Sequence, residues 1–155
     1  MTDFELIQII TGTVGTLCFS ILFNVRGRRL LFATLAGLIS WSIYLLFNHL
    51  THSEVLSCFI SAALITVYCE VMARVIKTPT STFIVPSLIP LIPGASLYRT
   101  MCTAFVGDVG GVADMAVYTL KLAAALALGV IVSSAAAKIF FPLYYKLKVK
   151  ISKTK

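Results

Sequence analysis

The sequence predicts an all-α fold: a polytopic membrane bundle of about five transmembrane helices, the fourth broken by prolines. Three observations predict it. Hydrophobic residues make up 59% of the chain and its mean hydropathy is +0.96. Only 12% of the residues are charged, against roughly a quarter in a soluble domain. The apolar residues also fall in runs near the ~20 residues that carry a helix across ~30 Å of hydrocarbon.

The runs follow one another with short interruptions. The first covers about residues 4–25 and ends at the basic turn RGRR of residues 26–29. The second covers about 30–47, with Trp41 and Tyr44 toward its end, and a polar turn at 48–53 (NHLTHS) follows. The third covers about 54–76 and carries Glu70 and Arg74; Lys77, Thr78 and Pro79 close it. A long segment, about 80–106, is interrupted by Pro86, Pro90, Pro93 and Gly94. A polar, Gly-rich stretch at 107–114 separates it from the last run, about 115–144. Residues 1–145 thus read as a single transmembrane domain, and 146–155 as a basic cytoplasmic tail.

The charges orient this scheme. Five spans place residues 26–29, the Arg74/Lys77 turn and the lysine tail (Lys146, Lys148, Lys150, Lys153, Lys155) on one side. Asp3, Glu5, the turn at 48–53, Asp108 and Asp114 fall on the other. By the positive-inside rule the N-terminus is outside and the C-terminus cytoplasmic, in a multi-pass protein of the bacterial inner membrane. Four spans, with the first two merged or the Pro-rich segment not crossing, would break that alternation; the tightness of the 26–29 turn keeps four open.

The net charge of +7 comes largely from the tail. Next to apolar spans, such a tail suits an anionic leaflet; without a folded basic module it does not indicate nucleic acid. Asp3 and Glu5 stand where a signal peptide carries basic residues, so the first run is expected to remain in the mature protein. Cys18, Cys58, Cys69 and Cys102 all lie in apolar runs without a CxxC pair and read as small buried residues, not as a metal site or disulfide framework. No cofactor is implied. Ala33 and Gly37, Ala125 and Gly129, and Ser133 and Ala137 are each four apart, a spacing that lets membrane helices approach closely.

The most informative segment is residues 82–99, TFIVPSLIPLIPGASLYR. Its prolines, at spacings of four and three, fall on one helix face. Each lacks the N–H that would bond the carbonyl four residues earlier, which releases the carbonyls of Thr82, Pro86 and Ile89. Bare carbonyls in hydrocarbon are tolerated where they line a cavity, bind an ion or find a neighbour. By count, the Pro93-Gly94 break lies near the bilayer midplane. A helix broken at that depth is a recurring substrate site of secondary transporters, and half-helix N-termini attract carboxylates. The alternative is a kinked packing helix.

Three charged groups add candidates. Arg99 lies six residues past Gly94 and Lys121 lies inside the last run. Intramembrane cations usually face a cavity or a partner, so the two are candidates for a substrate carboxylate; the alternative is snorkelling or pairing with Asp108 or Asp114. Glu70 and Arg74 are four apart and can pair on one helix face. Glu70 is the candidate for proton coupling, a plain ion pair being the alternative. His49 and His52 read as solvated turn residues.

Residues 86–98, PSLIPLIPGASLY, resemble the signature of the threonine/serine exporter (ThrE-like) family, and more narrowly its small YjjB-type subunit. The length, the span pattern and the basic turn after residues 19–25 extend the resemblance over nearly the whole chain. It implies a subunit of a secondary exporter of small carboxylates: threonine and serine, or a dicarboxylate such as succinate. It also implies a larger partner subunit in a hetero-oligomer. With Pro86, Pro90, Pro93 and Gly94 from the motif, Arg99 and Lys121 complete the candidate substrate site.

Other classes fit less well. No phosphate loop is present, so ATP hydrolysis by this chain is not expected, and neither HExxH nor a comparable catalytic pattern occurs, so the chain does not read as an enzyme. A non-transporting scaffold subunit remains the alternative function.

Overall fold

The structure, a computed structural model, describes residues 3–107 and 109–152, with side chains for 4–107 and 110–140. All the regular structure of these residues is helical: α1 (Asp3–Leu22), α2 (Arg28–Thr51), α3 (Glu54–Ile76), α4 (Ser81–Leu88) followed by a 3-10 turn (Ile89–Leu91), α5 (Gly94–Val106) and α6 (Val109–Ser152). Four helices are long and apolar enough to cross a membrane by themselves: α1, α2, α3 and α6. The pair α4–α5, bent by 50°, qualifies together as a fifth.

Contacts between helices show that the bent pair traverses the bundle. Tyr118 of α6 meets Glu54 of α3, the Leu122 carbonyl meets Cys58, and Gly129 lies against Phe59 and Ala62. Rising numbers meet rising numbers, so α3 and α6 run parallel. The chain leaves the end of α3 and must return to the end where α3 begins before α6 can start. Only α4 and α5 lie between, and α5 then runs antiparallel to α6, with Thr100 against Thr119 and Thr103 against Met115.

The interior is made of small and hydroxylated residues. Ala33, Ala36, Ala62, Thr16, Ser20, Ser40, Ser61 and Thr66 are fully buried, with Phe83 and Ile65 the largest buried apolar side chains. The large apolar residues point outward, as in Phe4, Leu22, Leu31, Leu50, Val75 and Leu120. A water-soluble bundle reverses this arrangement; in lipid, helix contact comes from close packing and interhelical hydrogen bonds. Ser61 Oγ donates to the Ser40 carbonyl at 2.6 Å between α3 and α2. Most other hydroxyls bond back within their own helix, as Ser20 does to Thr16. The expected small-residue pairs all fall at interfaces: Gly37 sits on Thr16 of α1, Gly129 sits on α3, and Ala33, Ala125, Ser133 and Ala137 are buried.

The α2–α3 turn is tighter than the sequence suggests, the α1–α2 turn longer. α2 continues through Thr51, so the polar turn shrinks to His52 and Ser53, with His52 in the left-handed conformation as C-cap. His49 is therefore a last-turn helix residue and not a turn residue; its side chain is largely exposed, as expected, and pairs with Glu5 of α1. Lys77 ends α3 the same way, at φ 55°. α1 stops at Leu22, short of the expected residue 25.

The larger correction concerns residues 107–114. Only Gly107, at a φ of +84° that suits glycine, ends α5; α6 is already helical at Val109, six residues before the expected start. Asp114 is exposed on α6, and Asp108 lies outside the described residues. Gly110 and Gly111 carry low helix propensity, which made the stretch read as a loop. At 44 residues, about 66 Å at 1.5 Å per residue, α6 is twice the hydrocarbon thickness. Its backbone stays helical across the expected start of the tail at Lys146; the lysine side chains there lie outside the described residues, as does that of Asp3. Cys58 and Cys69 are buried as expected, whereas Cys18 and Cys102 are exposed, and all four are free thiols.

Candidate functional site

The break is built from the prolines and a short run of tightened helix. Pro86 is inside α4 and buried. The Ile89 N–H bonds the Pro86 carbonyl, and the Ile92 N–H bonds the Ile89 carbonyl at 3.3 Å. Two of the three carbonyls expected to be released are therefore satisfied three residues on, the 3-10 pattern. At Ile92 the backbone turns extended, Pro93 follows, and Gly94 starts α5 with its N–H on the Ile92 carbonyl at 2.7 Å. No side chain caps α5, which leaves the first-turn amides of a helix start at this point.

A cavity of about 150 Å³ opens at the break. Residues 90–96 form one wall; Trp41 and Tyr44 of α2, Glu54 and Cys58 of α3, and Leu122 of α6 form the rest. Pro90 also adjoins Gly12 and Trp41, which lie near the midpoints of α1 and α2. The cavity thus extends from mid-bundle toward Glu54, the first residue of α3. Trp41 and Tyr44 stack with ring centroids 4.9 Å apart. Tyr118 donates its hydroxyl to Glu54 Oε2. The arrangement offers one carboxylate, aromatic faces and an uncapped helix start inside a broken span.

Comparison with known families decides what this frame is. Residues 8–136 match the family model described as threonine/serine exporter, ThrE. The chain belongs to the threonine/serine exporter family. The match takes in all of α2 to α5, the broken span included. No curated protein and no solved structure matches the chain.

The structure of this exporter-family chain sorts the candidate residues into three places. Pro90, Pro93 and Gly94 line the cavity, whereas Pro86 faces a separate depression with Phe23, Val25 and Ser81. Arg99 is exposed on α5. Lys121 borders a different groove, between α3 and α6, with Ser53, Leu56 and Phe59. The adjoining Thr100–Thr119 contact, 3.2 Å, puts Arg99 and Lys121 at one depth, close to the start of α3, but outside the cavity lining. Neither forms an ion pair with a described residue. Glu70 is 6% exposed, and Arg74 Nη1 donates to its Oε2 at 2.5 Å and its carbonyl at 2.7 Å.

Glu54, Tyr118, Trp41 and Tyr44 enter the site from the structure. The sequence marked Glu54 only as the start of a span. The available signal was an acid at a helix start, which ordinarily reflects the helix dipole alone.

Proposed function

We propose that this chain is a subunit of a secondary exporter of small carboxylates in the bacterial inner membrane. It acts with a larger partner subunit and uses the proton gradient. The observation that carries the reading is the cavity at the α4–α5 break, halfway through a bundle of the exporter family. Its size, below the roughly 300–1,000 Å³ of drug-sized pockets, suits a molecule such as threonine, serine or succinate. The substrate carboxylate would sit at the uncapped start of α5, where helix amides and dipole favour an anion, with Pro90, Pro93 and Gly94 as the wall. Pro86 sets the direction of α4 below it. Arg99 and Lys121, exposed and unpaired among the described residues, draw anions to the approach. Glu70 is the coupling carboxylate: it is buried while its partner Arg74 is exposed, so protonation changes a half-buried pair. The N-terminus faces outward and the basic end the cytoplasm.

A test uses cells lacking their own exporters and loaded with labelled threonine, serine or succinate. Gradient-dependent efflux that requires both this chain and the longer subunit supports the proposal. Loss of all efflux, with both proteins present in the membrane, contradicts it and leaves a scaffold role.

A further inference from the structure

Trp41 and Pro90 border two cavities at once. On one side lies the cavity of about 150 Å³ at the break. On the other lies a cavity of about 290 Å³ bounded by Gln8, Thr11 and Gly12 of α1. The wall between them is one indole and one pyrrolidine ring, and both rest on Gly12. A Cβ built at Gly12 would stand 3.7 Å from Pro90 Cβ and 3.8 Å from Trp41 Cγ. Two observations mark this wall as movable. The Trp41 indole N–H is buried, and no described residue accepts it. Buried tryptophan usually finds a partner for that group, and a donor without one bears its desolvation cost. On the α1 side, Gln8 supplies a carboxamide oxygen able to accept it once the ring turns. Pro90, for its part, sits in the 3-10 turn that joins α4 to α5, where the span bends by 50°. A change in that bend carries Pro90 toward or away from α1.

We infer that Trp41 and Pro90 form a gate between the cavity at the break and the α1-side cavity, which is the next station of the transported solute. The inference rests on the reading of the break as the substrate site. The structure shows the gate shut, with both rings against Gly12. When the 3-10 turn draws away from α1 and the indole turns toward Gln8, the two spaces join. A small polar solute then leaves the break along Gln8 and Thr11 of α1.

The test locks the gate chemically. The 3.7 Å between the Gly12 and Pro90 Cβ positions suits a disulfide, whose Cβ atoms stand about 3.8 Å apart. Gly12→Cys and Pro90→Cys are combined in a background with Cys18, Cys58, Cys69 and Cys102 replaced by serine or alanine. The variant is assembled with the larger partner in vesicles loaded with labelled serine, threonine or succinate. Oxidation should lower efflux at least tenfold relative to the same vesicles reduced with dithiothreitol, and reduction should restore it. Unchanged efflux with the disulfide fully formed, as read by mass spectrometry, overturns the gate. A second measurement needs no substitution. Trp41 is the only tryptophan of the chain, so 5-fluorotryptophan incorporated here and assembled with unlabelled partner reports one site by fluorine NMR. Saturating serine, threonine or succinate should shift intensity between two Trp41 signals. A single signal unmoved by all three overturns the gate, even where the cysteine pair is inactive when reduced. The underlying reading fails separately: Gly94→Phe would then leave efflux intact, whereas loss of efflux in Gly94→Phe beside a failed lock removes the gate alone.

Discussion

Gly37 faces Thr16 across the α1–α2 contact with no room between them: a Cβ on Gly37 would meet Thr16 Oγ1 at 2.2 Å and Thr16 Cβ at 2.5 Å. Because Thr16 is fully buried and its hydroxyl is bonded to the Gly12 carbonyl at 2.9 Å, its side chain has no low-cost escape. Gly37→Ala must push the helices apart, and overpacking of this kind costs ~1–3 kcal/mol. Gly15→Ala on the same α1 meets nothing within 4 Å and should be neutral or slightly stabilising. Melting of the two variants in detergent checks this; equal melting temperatures would contradict the packing described.

Much of that packing could be read in advance, and for a physical reason. Without a hydrophobic drive between helices in lipid, close approach depends on small side chains, so Gly37 and Gly129 announce their contacts by residue type. The α4–α5 break is equally visible, because proline removes a backbone donor whatever surrounds it. Two features were not visible. Residues 107–114 look like a loop by composition, yet the antiparallel contact of Thr103 with Met115 holds the start of α6 beside α5. Glu54 looks like an ordinary helix-start acid until α6 brings Tyr118 against it, a pairing 64 residues apart that periodicity does not encode.

Glu70 provides a prediction about coupling. Glutamine at this position can still accept from Arg74 but cannot take up a proton. Glu70→Gln should keep substrate exchange across the vesicle membrane within about threefold of the original and lose accumulation driven by a pH gradient. Measuring both modes in the same vesicles separates them; retained gradient-driven accumulation removes Glu70 from the coupling role.

Arg99 and Lys121 are exposed, so their effect on a carboxylate should be screened by salt. The Arg99→Gln, Lys121→Gln double variant should raise the half-saturating substrate concentration about threefold to tenfold at low ionic strength, and less at high. Co-purification with the partner should be unaffected. Unchanged transport at low salt would assign both residues to the lipid or partner face.

The orientation of the bundle is open to labelling. In a background with Cys18, Cys58, Cys69 and Cys102 replaced by serine or alanine, single cysteines at His52 and Lys77 lie at opposite ends of α3. An impermeant maleimide added to intact cells should label position 52 and spare 77. The reverse pattern would invert the topology, and labelling of both would mean a leaky membrane or a mixed orientation.

The most direct measurement of substrate passage at the break is transport by Gly94→Phe. Gly94 lines the cavity, its φ is unexceptional, and nothing lies within 4 Å of an added Cβ, so a side chain can start there without displacing a helix. The variant should accumulate in the membrane and assemble with the partner as the original does, yet export no labelled threonine, serine or succinate. Export at the original rate would contradict the proposal that substrate passes through the break in the fourth span.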